Sequence, residues 1–236
     1  MIPVAVITGM QSEAKCFGAL TRHLLPKYRP IIRCAGVGPD RATAACNALN
    51  NEKISGLVSF GIAGGLDASL SPGCVQLPAA VVTASNERFE TDFDWHQAVG
   101  GGFDNPPTPT LQLGANAPIT EPDEKARFFA ELKTHAVDME SHAVADYAKN
   151  RGVPFLVLRA VADTADVEIP EIAFAGLDPA GNVAPFQVVK KLVRNPGQLP
   201  ALLRLARNTN AAMTALQTIP SAAIDAICML GENEAD

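Results

Sequence analysis

The sequence predicts a three-layer α/β/α fold with a central mixed, largely parallel sheet, in a single domain over residues 1–236. Three observations carry this. Short apolar runs alternate with segments of helical periodicity. Most of those runs end in glycine or in an acidic residue. The 236 residues, 47% hydrophobic and 19% charged, have the composition of a globular chain and not of a disordered or fibrous one.

The first apolar run, 4–8, reads as a buried strand. It stops at Gly9-Met10-Gln11-Ser12-Glu13, where Ser12 is the candidate helix cap and Ala14, Phe17, Leu20 and Leu24 follow at helical spacing. A second strand over 31–35 meets Gly36-Val37-Gly38, and a helix over 41–49 follows. A third strand, 54–60, ends in Gly61-Ile62-Ala63-Gly64-Gly65. Further strands are expected over 75–83, 136–139 and 153–162, the last running into Asp163, with a helix over 140–150 closed by Gly152. Two or three helices fill the C-terminal third. Residues 99–122 break the alternation: nine of the 24 are glycine or proline, which reads as a flexible or substrate-covering loop.

Charge and cysteine usage exclude several classes. A net charge of −6 and a pI near 5.2 argue against nucleic acid as partner. No apolar stretch is long enough to span a bilayer, and no basic region precedes the first apolar run, so neither a membrane span nor a signal peptide is expected. Five scattered cysteines without a Cys-x-x-Cys pair read as free thiols of a reducing cytoplasm, and the four histidines lack metal-ligand spacing. No metal site and no cofactor is expected.

In a parallel sheet ligands bind beyond the strands' C-terminal ends. Those ends carry Glu13, Gly36 and Gly38, then Gly61, Gly64 and Gly65, then Glu140 and Asp163. Gly36-Val37-Gly38-Pro39-Asp40-Arg41 is not a dinucleotide fingerprint, because Arg41 stands at the third glycine. It is either an anion-holding turn or a tight strand–helix connection. Around Met139, Asp138 and Glu140 read as helix-terminal acids when taken alone. Asp163 is either a cap for the next helix or an acid with a raised pKa. Arg41 and Arg88 read as solubilising surface residues, and Lys125 as a solvated helix residue. Trp95 and His96 lie in an Asp/Phe-rich loop and read as structural surface.

Taken together, Gly9–Glu13, the two glycine turns, Val137-Asp138-Met139-Glu140 and Arg159-Ala160-Val161-Ala162-Asp163 resemble the nucleoside phosphorylase/nucleosidase superfamily, the class that includes methylthioadenosine/S-adenosylhomocysteine nucleosidase. The C-terminal third is similar to hopanoid-associated phosphorylase-like proteins, proposed to remove adenine from adenosylhopane. The resemblance implies cleavage of an N-glycosidic bond in a small-molecule adenosyl nucleoside. It assigns Asp163 as the acid at purine N7 and Glu140 as the carboxylate on the ribose hydroxyls, with Met139 against the sugar. Glu13 orients a water, and Gly36, Gly38, Gly64 and Gly65 shape the substrate-binding turns. Phosphate as co-substrate stays open, as does a non-catalytic nucleoside-binding protein. Ile62 and Ala162 depart from the pattern, standing where nucleosidases carry hydroxyl residues. The superfamily also implies a homodimer or larger homo-oligomer.

One segment stands apart. Residues 179–224 hold no acid but Lys190, Lys191, Arg194, Arg204 and Arg207, a charge of +5 that leaves −11 on the rest of the chain. Its helices, 183–219, read either as ordinary packed helices or as a contact with the inner surface of a membrane.

Overall fold

In the computed structural model, residues 2–170, 173, 181, 182, 192 and 196–230 are described. Nine strands form one sheet: β1 Ala5–Thr8, β2 Ile31–Cys34, β3 Leu57–Gly65, β4 Val75–Gln76, β5 Ala80–Thr83, β6 Arg88–Glu90, β7 Leu111–Gly114, β8 Ala136–Asp138 and β9 Phe155–Asp163. The path runs β2-β1-β3-β8-β7-β5-β6, with β9 paired to β3 and β4 to β9. Pairings β1–β2, β1–β3, β3–β9, β5–β7 and β7–β8 are parallel, whereas β3–β8, β4–β9 and β5–β6 are antiparallel. The expected mixed, largely parallel sheet is present.

Seven α-helices are described: α1 Gln11–Leu20, α2 Pro39–Asn47, α3 Phe93–Gly101, α4 Pro122–Leu132, α5 Ser141–Arg151, α6 Leu199–Gln217 and α7 Ser221–Cys228. Alternate residues of each central strand serve two cores, as strand pleating requires. Val6, Phe60, Leu156 and Leu158 meet Phe17 of α1, Leu216 of α6 and Ile224 of α7. Ile7, Leu57 and Val157 meet Ala45 of α2 and Val144 of α5. A sheet buried on both faces explains why these strands read as continuous apolar runs.

Several expected boundaries need correction. The glycine run 61–65 is not a loop after a strand but the end of β3 itself, which shifts register between Ala63 and Gly64. The strand expected over 75–83 is two, β4 and β5, separated by Leu77-Pro78-Ala79; Pro78 has no N–H for a ladder. The loop expected over 99–122 begins as the end of α3 and contains β7, which sits between β5 and β8. Its glycines and prolines flank the strand and hide four residues of ordinary sheet. Trp95 and His96 are not surface. They are buried in α3, where the Trp95 indole donates to the Ala226 carbonyl at 3.0 Å and fastens α3 to α7. Ser12 is not the cap of α1; Met10 holds that position. Gly152 does close α5, in the left-handed conformation at φ 67°. Cys16, Cys46, Cys74 and Cys228 are free thiols. Burial pushes the Cys16 thiol up to about 11 and the Cys46 and Cys228 thiols up to about 12, which disfavours the reactive thiolate.

Candidate active site

The turns after β1, β3, β8 and β9 surround one cavity. Gly9, Met10, Glu13, Ile62, Gly64, Met139, Glu140 and Asp163 all face it. β8 positions Glu140: it runs antiparallel to β3, pairing Gly64 with Val137, and so carries the chain back towards Gly9 and Gly38. Three acids thus converge although they are far apart in sequence. Glu13, Glu140 and Asp163 are only 2%, 6% and 5% exposed.

Glu13 stands at the third position of α1 and folds back over the turn before it. Its Oε2 accepts from the Gly9 N–H at 3.1 Å and the Met10 N–H at 2.9 Å, and its Oε1 accepts from the Ile62 N–H at 2.9 Å. Burial raises its pKa to about 7 against the opposing pull of Arg159 and these amides. Glu140 is the residue before α5, and its Oε1 accepts from the Gly38 N–H at 2.8 Å. Burial raises its pKa as well, with Arg159 acting in the other direction.

Gly36 and Gly38 have φ of 109° and 104°, conformations that glycine adopts freely. At this turn the Gly38 N–H donates to the side chain of Glu140. Gly36, Gly38 and Gly65 do not themselves line the cavity, whereas Gly64 does. At Gly61 a Cβ would lie 2.4 Å from Glu13 Oε1 and 2.6 Å from Arg159 Nη1, so only glycine leaves room for that approach.

Asp138 and Glu140 separate cleanly. Asp138 Oδ1 accepts from the N–H groups of Glu140 at 2.9 Å and Ser141 at 2.7 Å, which fixes the turn that leads into α5. Its Oδ2 accepts from the Gln112 amide at 2.9 Å and lies 3.1 Å from Arg159 Nε. Asp138 and Glu140 both line the cavity, but both Asp138 oxygens are engaged by protein groups. Arg159, in β9, is 1% exposed and was not singled out from the sequence. Its Nη2 donates to Ser59 Oγ at 2.7 Å and lies 3.6 Å from Glu140 Oε2. An arginine within an otherwise apolar strand, four residues before an acid, is the signal that could have found it.

Asp163 ends β9. Its Oδ2 accepts from Lys125 Nζ at 2.6 Å. Burial raises its pKa, and Lys125 lowers it. Lys125 is therefore not a solvated helix residue; it is fully buried beside the site. Arg41 and Arg88 are exposed as expected, and Arg88 pairs with Glu90. Of the segment expected to cover the site, Ala117, Pro118 and Ile119 do line it. The chain also returns at Gly181, whose carbonyl accepts from the Gln11 N–H at 3.0 Å. The described residues hold no cluster of His, Cys, Asp and Glu suited to a metal ion. No single described helix is long and apolar enough to cross a membrane, although α6 and α7, bent by 72°, pass together on length and composition. Lys190, Lys191 and Arg194 lie outside the described residues.

A family model described as the phosphorylase superfamily matches residues 3–113 and 111–194. Futalosine hydrolase of Streptomyces coelicolor is 30% identical over 224 residues, 78% of this chain and 94% of that protein. Among solved structures, futalosine hydrolase of Helicobacter pylori superposes with a TM-score of 0.67 at 15% identity, covering 94% of this chain and 97% of that one. The methylthioadenosine/S-adenosylhomocysteine nucleosidase of Colwellia psychrerythraea, in complex with adenine, gives 0.68 at 17% identity over 95% of each chain. The Neisseria meningitidis nucleosidase gives 0.63 at 20% identity, covering 91% and 97%.

Proposed function

The chain belongs to the phosphorylase superfamily, and from that membership and from Glu13, Glu140 and Asp163 in the cavity we propose that it hydrolyses the N-glycosidic bond of a purine nucleoside. The observation that carries the reading is the division of labour among those groups. Asp163, held through Oδ2, presents a proton to purine N7 and turns the base into a neutral leaving group. Glu140, fixed by Gly38 and Arg159, binds the ribose hydroxyls and faces the positive charge that develops on the sugar. Met139 packs against the ribose. Glu13 has a pKa of about 7, so it is partly ionised at neutral pH and suited to take a proton from the attacking water.

Water is favoured over phosphate by the occupancy of the backbone donors. The N–H groups of Gly9, Met10, Ile62 and Gly38 are those that would cradle an anion. They are already bound to the carboxylates of Glu13 and Glu140. The buried cations Arg159 and Lys125 are likewise engaged by acids. A phosphate dianion would meet the carboxyl groups that already hold these donors. The remaining wall, with Met10, Val37, Ile62, Pro118 and Ile169, is apolar and suits a neutral 5′ substituent on an adenosyl nucleoside. The test is base release from adenine and hypoxanthine nucleosides with neutral or carboxylate-bearing 5′ groups, with and without phosphate. Free ribosyl product at a phosphate-independent rate is expected. Ribose 1-phosphate as product would replace hydrolysis by phosphorolysis. Binding without release from any substrate would replace both by a nucleoside-binding protein.

A narrower reading makes the 5′ group a lipid, as in adenosylhopane, with a homo-oligomer working at a membrane surface. Leu199 and Leu203 favour it: they lie one turn apart on α6, are 44% and 58% exposed, and share the helix with exposed Arg204 and Arg207. Basic side chains near anionic lipid contribute about 1 kcal/mol each. Co-sedimentation with phosphatidylglycerol vesicles at low salt is expected, and is expected to be lost in Leu203→Ser/Arg204→Gln. Equal sedimentation of the two proteins would leave a water-soluble substrate.

A further inference from the structure

Lys125 sits in α4 among exposed neighbours, including Asp123, Ala126 and Arg127, yet is itself 0% exposed. Its Nζ donates to Asp163 Oδ2 at 2.6 Å, to the Val167 carbonyl at 2.8 Å and to the Thr164 carbonyl at 3.0 Å. An ammonium has three N–H donors, and here each has an acceptor. A buried charge is tolerated only when it is satisfied in this way. Asp163 is constrained in two respects. Its Oδ2 is committed as an acceptor, while its Oδ1 takes no hydrogen bond from a described residue. The chain just after it, through Thr164 and Val167, hangs on the same nitrogen, so carboxyl and backbone cannot turn independently.

We infer that Lys125 is a positioning residue for the general acid: it keeps the transferable proton on Asp163 Oδ1 and compensates the carboxylate left after transfer. The inference rests on the proposed N-glycosidic cleavage. In the step, the Oδ1–H bond breaks, an N7–H bond forms and the glycosidic electron pair leaves with the base. Asp163 is left as a carboxylate beside the ammonium. The attacking water gives its oxygen to C1′ and a proton to Glu13, and solvent returns a proton to Asp163. The opposing influences on the acid fit this role. Burial alone would hold the proton too tightly, and Lys125 offsets that. The other charged groups around Asp163 among the described residues include Glu13, Asp138 and Glu140 on the cavity wall, Arg159 behind them, and exposed Asp166 with Arg204 of α6 near it. Lys125 is the cation in contact with it.

A plain fastening of α4 to β9 would use the same bonds, and the pH profile separates the two. Wild type, Lys125→Met and Lys125→Gln are compared in kcat and kcat/KM across pH, using a nucleoside that the wild type cleaves. Loss of an adjacent cation raises a carboxyl pKa by about 1–3 units. The alkaline limb is therefore expected to move up by about that much, with kcat at least about tenfold lower and KM little changed. A rate loss equal at every pH, with the limb in place, would overturn the inference. A second readout needs no substrate: Asp163→Asn strands the buried ammonium and lowers the melting temperature, and adding Lys125→Met removes the stranded charge and recovers part of the loss. Additive losses would also overturn it. A wild type that releases no base would instead remove the reaction and leave the melting cycle standing.

Discussion

The two sides of the cavity, proposed to take the ribose and the base, hold their carboxyl groups by different means. Glu13 and Glu140 rest on backbone amides: three for Glu13 and that of Gly38 for Glu140, with Arg159 close to both. Asp163 rests on one side chain, Lys125, 38 residues away in sequence. An amide cannot be mutated away, and it is placed by a turn whose glycines are visible in the sequence. A lysine nitrogen is placed by the packing of a whole helix. The ribose side is thus held by the backbone, whereas the base side can be tuned by a single residue.

The largest effect is expected where the comparison is sharpest. Glu140→Gln keeps an acceptor for Gly38 but removes the charge facing the sugar. A fall in kcat of about 10²–10³ is expected, by the scale of losing one transition-state contact, with a smaller change in KM. Wild-type enzyme should also prefer ribosyl to 2′-deoxyribosyl substrates; equal rates on both would take Glu140 off the hydroxyls.

The next effect is in pH. Glu13 must be ionised to act as a base, so kcat is expected to rise through pH of about 7, and this acid limb should vanish in Glu13→Gln. Stability moves the opposite way. The folded pKa lies above the ordinary value of 4.5, so this group's contribution is fully present below 4.5 and is lost as pH rises through about 7. Thermal melts at pH 5 and pH 8 read the difference between wild type and Glu13→Gln. A limb unmoved by the substitution would assign the titration elsewhere.

The smallest effect concerns the backbone support itself. Gly61→Ala puts a methyl against Glu13 and Arg159 and is expected to cost about 1–3 kcal/mol, the usual range for overpacking. Denaturant unfolding measures it. If the backbone holds Glu13 as described, activity falls along with stability; full activity would mean that Glu13 has slack.

The ease of reading these features in sequence tracks the same division. β1, β9 and the glycine turns announce themselves, because a strand buried on both faces is an apolar run and a turn of positive φ asks for glycine. Glu13, Glu140 and Asp163 were legible as acids at the ends of such runs. β7 was not, because Pro109 stands just before it, Gly114 ends it and its pairing is supplied by β5 and β8, not by local pattern. Trp95 escaped because helix α3 is short and its burial depends on α7, more than 120 residues later. Lys125 escaped because an acidic, charged helix start looks solvated until the register of α4 against β9 is known. Asp138 and Glu140 were indistinguishable by type; only the direction in which β8 delivers them separates the acid that fixes the turn from the site residue.

The central claim is that Asp163 gives a proton to the leaving base. Its most direct measurement pairs turnover with nucleoside binding in Asp163→Asn, the binding followed by calorimetry. The amide accepts hydrogen bonds but has no acid proton, so kcat is expected to fall by about 10²–10⁴ while the dissociation constant stays within a few-fold of wild type. Wild-type turnover and an unchanged pH profile in Asp163→Asn would contradict the account, and would make Asp163 a structural partner of Lys125 alone.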